Sequence, residues 1–230
     1  MTSQESEGRR LHAEALAAQE KGDFLAALLK IDEAMLAYEF NGDSLGLAES
    51  QAMRFLTLKH LYEKTNDKAF LIIAKYTVMA SVELAKLNNN KDALSIPLFN
   101  LAKVQELLGE YGDAVISFRQ ALETVPNRPA VIADFKVHLA TCEYKTGDKS
   151  ALDRAEEAVA ELEKAREEDT YSKNVWLSGG HMRIADAVNA ENKELARKHM
   201  GEAKKIIDSD ERLKLRLEQW TKQAEKLGVA

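Results

Sequence analysis

The chain has 230 residues, of which 45% are hydrophobic and 30% charged, and its formal net charge is −6. That length allows one or two domains, and the composition is that of an ordinary folded protein. An acidic chain lacks the excess of Lys and Arg that neutralises phosphates, so we expect no nucleic-acid partner. No apolar run reaches the roughly 18 residues of a membrane span, so we expect no membrane partner.

The single cysteine and the first residues indicate the compartment. Cys142 has no second cysteine to pair with, so an intramolecular disulfide is excluded and a reducing environment fits. The segment 1–10 is polar and charged, without the apolar centre of a signal peptide. These two features predict a cytoplasmic protein.

Helical periodicity dominates the whole chain, because Ala, Leu, Glu and Lys are abundant and β-branched runs are scarce. Short polar turns, such as the three asparagines at 88–90, separate segments of helical length. The pattern predicts about eleven helices, near residues 5–21, 24–40, 44–64, 68–87, 95–108, 111–125, 130–146, 149–168, 172–190, 193–208 and 211–227.

One pattern occurs twice with the same spacing: Gly-acid-aromatic-x-x-Ala-x-x-x-apolar-x-x-Ala-apolar. Its first copy is Gly22, Asp23, Phe24, Ala27, Ile31, Ala34 and Met35. Its second copy is Gly109, Glu110, Tyr111, Ala114, Phe118, Ala121 and Leu122. Gly suits a left-handed helix cap, the acid suits the start of the next helix, and the two alanines allow a paired helix to approach closely. The pattern therefore predicts antiparallel helix pairs.

In residues 95–128 this pattern resembles a tetratricopeptide repeat (TPR). Leu98, Leu101 and Ala102 stand where the family has Trp, Leu and Gly, and Pro126 closes the repeat at the family's spacing. Residues 8–41 match more weakly and lack the proline, and 173–180 resemble the start of a further first helix. Successive turns are 38–44 residues apart, longer than the standard repeat of about 34. The resemblance implies an all-α, right-handed α-solenoid of about five antiparallel helix pairs plus a C-terminal capping helix.

The expected domain organisation is a single TPR-like repeat domain over 1–230. Its helix pairs are predicted near 5–41, 44–87, 95–128, 129–168 and 172–208. The last helix, 211–227, carries an apolar stripe that includes Leu213, Trp220 and Leu227, so we expect it to cap the stack. A homodimer formed through the same helix is the alternative.

The resemblance also implies a binding surface, because the first helix of each pair lines a concave groove in TPR proteins. The groove positions of this sequence are Leu56, His60, Phe99, Asn100, Lys103, Glu106, Thr141 and Tyr144. Some chaperone-binding relatives hold a peptide carboxylate with a clamp of Lys, Asn and Arg. Only Asn100 matches a clamp position, so we expect a mixed, partly apolar groove instead.

No residue pattern indicates catalysis, a metal or a cofactor. His138 and Cys142 are four apart on one helix, but two ligands do not close a metal site. Ser178 and His181 flank two glycines, although close neighbours on a helix do not face each other, and the glycines suit close helix packing.

The leading prediction is therefore a non-catalytic protein- or peptide-binding scaffold or adaptor. A regulatory sensor that binds a small signal or short peptide in the same groove is the alternative. An enzyme would require His138, Cys142 or His181 to meet acidic groups from other helices in one cleft.

Overall fold

The computed structural model describes residues 6–87, 92–166 and 169–229, and these contain eleven α-helices, one short 3₁₀ helix (Asp92–Leu94) and no β-strand. The helices are α1 Glu7–Glu20, α2 Phe24–Phe40, α3 Ser44–Thr65, α4 Lys68–Leu87, α5 Ser95–Leu108, α6 Tyr111–Thr124, α7 Pro129–Lys145, α8 Ala151–Lys164, α9 Thr170–Val188, α10 Lys193–Asp208 and α11 Lys214–Leu227. The expected all-α fold is confirmed. Residue 5, the predicted turn at 88–90 and the predicted helix end at 167–168 lie outside the described residues.

The turns have the chemistry that the repeated pattern predicts. Gly22 and Gly109 both adopt left-handed backbone conformations, with φ of 74° and 83°, where a side chain would be strained. Asp23 then caps α2 by accepting a hydrogen bond from the Ala26 amide at 3.1 Å. Glu110, at the equivalent position of the second copy, pairs with Lys75 at 2.6 Å. In both copies the glycine ends one helix and the acid anchors the turn that leads to the next helix.

Helices α8, α9 and α11 begin two or three residues away from their predicted starts, each for a local reason. Helix α9 begins two residues early because Asp169 accepts from the Ser172 amide and so caps it at Thr170. Helix α8 begins late, after Asp148 has accepted bonds from the amide and hydroxyl of Ser150. Helix α11 begins at Lys214 because the Leu213 amide closes a turn on the Asp210 carbonyl. Cap and turn hydrogen bonds decide all three boundaries.

The chain forms two compact units, Met1–Glu110 and Tyr111–Ala230, here called the N-terminal and C-terminal units. In the N-terminal unit each helix packs on the next, from α1 to α5. Tyr38 of α2 is fully buried where α1 and α3 approach it most closely. A Cβ placed on Gly8 or Gly46 would lie 2.6 Å or 2.3 Å from its ring, so both positions need glycine for the helices to pack.

A second apolar cluster of the N-terminal unit joins α3, α4 and α5. Its buried members are Phe55, Leu58, Ala74, Val78 and Val104. Because α3 and α5 are the first helices of successive pairs, this cluster fixes the spacing of the surface that they present.

In the C-terminal unit α6 packs on α7, and α7 to α11 share a core rich in alanine. Gly180 of α9 lies directly against Val137 of α7 and Val159 of α8, where an added Cβ would meet them at 3.5 Å and 3.3 Å. The expectation that this glycine serves close helix packing is confirmed.

Helix α11 covers the α9–α10 pair. The Trp220 indole donates to the Met200 carbonyl at 2.9 Å, and the Gln223 amide donates to the Met182 carbonyl at 2.6 Å. Ala224 and Leu227 complete the contact from the buried face of α11. This packing is what a capping helix requires. No helix in the described ranges combines the length and apolarity needed to cross a membrane.

Candidate peptide-binding groove

The α3 part of the predicted groove combines an exposed leucine with a charged cluster. Leu56 is exposed, whereas the His60 ring stacks on Phe24 at 5.3 Å between centroids. Nδ1 of His60 lies 3.0 Å from the Glu63 carboxylate, which also pairs with Lys59 at 2.8 Å. Burial alone would raise the pKa of Glu63, but His60 and Lys59 outweigh it and hold that pKa well below its usual range. The Glu63 carboxylate therefore stays ionised near neutral pH and remains paired with Lys59.

The α5 part places a cation against aromatic rings. The Lys103 ammonium lies 5.2 Å from the Phe99 ring centroid and 5.6 Å from that of Phe55 on α3. Phe99 and Asn100 are buried, whereas Lys103 and Glu106 are half-buried. Phe55 was not among the predicted groove residues. It directly precedes the predicted Leu56, but the sequence does not reveal that Lys103 would reach it from another helix.

The remaining two predicted residues belong to the C-terminal unit and serve local packing there. The buried Thr141 hydroxyl donates to the Val137 carbonyl at 2.9 Å within α7. The Tyr144 hydroxyl donates to Glu191 at 3.0 Å, and the Lys149 ammonium lies 4.0 Å from its ring centroid. Burial first, and then the Glu191 carboxylate, raises the pKa of Tyr144.

The eight predicted positions therefore differ in what a ligand could reach. Side chains that are exposed or half-buried are Leu56, His60, Lys103 and Glu106, all in the N-terminal unit. Side chains that are buried are Phe99, Asn100, Thr141 and Tyr144. The Lys103 ammonium of α5 contacts the Phe55 ring of α3. The four accessible residues of the N-terminal unit are therefore the strongest candidates for a binding surface.

His138 and Cys142, which the catalytic alternative considered, are both buried on α7. His138 is buried beside Phe118, with ring centroids 5.3 Å apart, and Cys142 is fully buried on the same helix. Among the described residues no group of three or more His, Cys, Asp or Glu side chains is arranged to hold a metal ion.

A histidine pair in the C-terminal unit was not predicted. Nδ1 of His181 on α9 lies 3.0 Å from Nδ1 of His199 on α10, and the other nitrogen of His199 lies 3.2 Å from Glu156 on α8. A hydrogen bond between two ring nitrogens needs one donor and one acceptor, so at least one ring is neutral. Burial, followed by the neighbouring His199, lowers the pKa of His181 to about 4. The two histidines are 18 positions apart in the sequence, so no sequence motif joins them.

A cavity of about 220 Å³ lies in the C-terminal unit, between α7 and α8. Ion pairs line it: Lys136 with Glu161 at 2.7 Å, and Arg154 with Glu143 at 2.8 Å. Small-molecule pockets have volumes of about 300–1,000 Å³, so this cavity is smaller than that range.

Comparisons with known proteins agree on the fold. BtubC (BKLC) from P. vanneervenii superposes with a TM-score of 0.61 at 18% sequence identity, covering 85% of this chain and 77% of that one. A putative kinesin light chain with nearly identical TPR-like repeats from Podosopora anserina gives 0.60 at 14% identity, covering 91% and 99%. A substituted form of the same protein gives 0.62 at 15% identity, covering 92% and 100%. No family model and no curated protein matches the sequence. The chain therefore has a TPR-like helical repeat fold.

Proposed function

We propose that this chain is a non-catalytic, cytoplasmic scaffold that binds a protein or peptide partner along the first helices of its N-terminal unit. Helical repeat folds present extended surfaces to such partners, although the fold alone does not establish the activity. The observation that carries the proposal is the Lys103 ammonium beside Phe55 and Phe99, together with the exposed Leu56 that follows Phe55 on α3.

This combination suits a segment with an apolar side chain and a nearby carboxylate. Leu56 offers an exposed apolar contact, and the Lys103 ammonium can pair with an acid. The preferred partner segment is therefore partly apolar, with its negative charge near Lys103.

The test compares two double variants of the full chain in pull-downs from the native cell, read by mass spectrometry. Leu56→Glu with Lys103→Glu alters the candidate surface. Leu215→Glu with Lys214→Glu makes the same changes at exposed positions of α11. Partners retained by the wild-type chain and the control, but lost by the groove variant, support the proposal. Identical partner sets for all three proteins contradict it, provided that circular dichroism shows equal helicity.

A further inference from the structure

Helix α10 is connected to its neighbours by a row of three titratable groups. Nδ1 of His199 on α10 lies 3.0 Å from Nδ1 of His181 on α9, and Nε2 of His199 lies 3.2 Å from the Glu156 carboxylate on α8. His199 is only 4% exposed, whereas His181 and Glu156 are half-buried. One histidine of α10 therefore joins three helices of the C-terminal unit.

The partners of the two rings define where their protons lie. A carboxylate only accepts hydrogen bonds, so Nε2 of His199 carries a proton. Nδ1 of a neutral His199 is then an acceptor, and Nδ1 of His181 is the donor. The row is complete while both rings are neutral. A further proton on His181 places a positive charge in a mostly buried position, and one on His199 sets two donors against each other.

Protonation of the pair is costly while α10 is in place. Burial is the largest cause that lowers the pKa of His181 to about 4, and the neighbouring His199 is the second. Burial also lowers the pKa of His199, against the opposite effect of Glu156. The other charged groups that act on the pair are Glu202, which favours protonation, and Lys198, which opposes it. The packed helices therefore favour two neutral rings.

Helices α10 and α11 bury narrow apolar faces. The buried apolar residues of α10 are Ala196, Met200, Ala203 and Ile207, and those of α11 are Ala224 and Leu227. A terminal member of a row of stacked helices has one neighbour instead of two, so its opening costs less than the unfolding of the whole unit. We therefore expect α10 and α11 to open before α7 to α9.

An ionic contact of α11 is insensitive to mild acid. Asp186 of α9 pairs with Lys226 of α11 at 3.2 Å and with Lys145 of α7 at 2.6 Å. Burial alone would raise the pKa of Asp186, but the two lysines outweigh it and hold that pKa below its ordinary value. The carboxylate therefore stays charged between about pH 7 and pH 5, and a change of pH in this range acts on the histidine pair instead.

We propose that His181, His199 and Glu156 form a pH-sensitive latch, which holds α10 and α11 on α9 at neutral pH and releases them together in mild acid. Helix α11 follows α10 because the Trp220 indole donates to the Met200 carbonyl of α10. Release uncovers the buried faces of both helices. The latch lies in the C-terminal unit, so this proposal does not depend on the proposed groove of the N-terminal unit.

The direction and size of the effect follow from the titration of His181. Its pKa is about 4 while the helices are closed, against 6.5 for an unperturbed ring in the open form. Because the open form binds the proton more tightly, opening becomes more favourable as the pH falls below 6.5. Between about pH 7 and pH 5 the equilibrium constant for opening should rise about 20-fold, and the titration of His199 adds to that factor.

The test is hydrogen exchange of the full chain, followed by mass spectrometry at about pH 7 and pH 5 and corrected for the intrinsic pH dependence of amide exchange. The amides of α10 and α11 should lose about 20-fold of their protection between the two pH values. Unchanged protection of α10 overturns the proposal.

The urea dependence of exchange separates local release from global unfolding, with α7 of the same unit as the reference helix. Helices α10 and α11 should be less protected than α7 at each pH and should depend less on urea, because a partial opening exposes less surface than complete unfolding. Equal protection and equal urea dependence in α7 and α10 would mean that α10 opens only when the chain unfolds. That result also overturns the latch.

Two variants assign the pH dependence to the pair. His181→Gln with His199→Gln removes both titrating rings, so the protection of α10 should change little between the two pH values. The matched control is His12→Gln in the N-terminal unit, because burial also lowers the pKa of His12. It should keep the wild-type loss of protection in α10. A double variant that keeps this loss, or a control that abolishes it, contradicts the latch. If circular dichroism shows that the double variant has lost its helices, the wild-type comparison of α7 with α10 decides.

Discussion

At the scale of single residues, two helical glycines define how closely the first three helices pack. Gly46 of α3 and Gly8 of α1 both lie against the Cδ1 and Cε1 atoms of the buried Tyr38 ring. In an isolated helix alanine is preferred to glycine by about 1 kcal/mol. Here the close approach reverses that preference, because the ring has no space to move away from an added methyl group.

We expect Gly46→Ala to lower the free energy of unfolding by about 1–3 kcal/mol, through overpacking against Tyr38. Gly201→Ala on α10 is the matched control, because the space beside Gly201 is open. That change should raise stability by up to about 1 kcal/mol. Urea unfolding followed by circular dichroism measures both values. Equal effects of the two substitutions would show that Tyr38 does not confine Gly46.

The His181–His199 pair should make stability depend on pH. The pKa of His181 is about 4 in the folded chain against 6.5 for an unperturbed histidine. Glu156 and Glu202 favour protonation of the pair and Lys198 opposes it, but burial dominates. Between pH 6.5 and 4 the unfolded chain binds more protons than the folded chain. Stability is therefore complete above about pH 6.5 and is lost as the pH falls towards about 4.

We expect His181→Gln to lose about 2 kcal/mol less stability than the wild-type chain between about pH 7 and pH 4.5, because glutamine does not titrate. Urea unfolding of both proteins at the two pH values measures how much stability each loses. The two proteins contain the same carboxylates, so the titration of those groups cancels in the comparison. Parallel losses in the two proteins would mean that the pair does not control the acid sensitivity.

At the scale of elements, α11 is defined by one buried and one exposed side. Trp220 of α11 packs against α10 and donates to the Met200 carbonyl, whereas Leu215 of α11 is exposed. The sequence predicted the apolar stripe that carries Trp220. The predicted start of α11 was three residues too early. The Leu213 amide donates to the Asp210 carbonyl and forms a turn there, so the helix begins only at Lys214.

We expect Trp220→Ala to cost about 2–4 kcal/mol, since it removes both packed area and the indole hydrogen bond. Leu215→Ala should change stability by less than about 0.5 kcal/mol. Thermal unfolding of the two variants gives the comparison. A small effect at Trp220 would mean that α11 contributes little to covering α9 and α10.

At the scale of the whole molecule, the single repeat domain expected over 1–230 remains a prediction, and Met1–Glu110 and Tyr111–Ala230 are its two compact parts. Helices that share one continuous core unfold together. We therefore expect one calorimetric transition, which Gly46→Ala and Trp220→Ala both lower in temperature. Two transitions, each shifted by only one of these variants, would show two independent domains instead.

The helical class, most helix bounds and the repeated turn could be predicted from the sequence alone, because caps, left-handed glycines and small residues act within a few positions of each other. The sequence could not predict which residues of the groove a partner can reach. The fold separates its residues into accessible positions, such as Leu56 and Lys103, and buried ones, such as Asn100. Burial depends on what packs from other helices, which spacing along one helix does not contain.

The side of α2 and α4 that faces outward depends on tertiary packing. Helix α2 has apolar residues on two sides, and periodicity alone cannot rank them. The fold buries the side with Ala27 and Ala34, because small residues let neighbouring helices approach, and leaves Leu29 and Leu36 in contact with solvent. The same packing rule that explains the repeats thus leaves these leucines of α2 exposed.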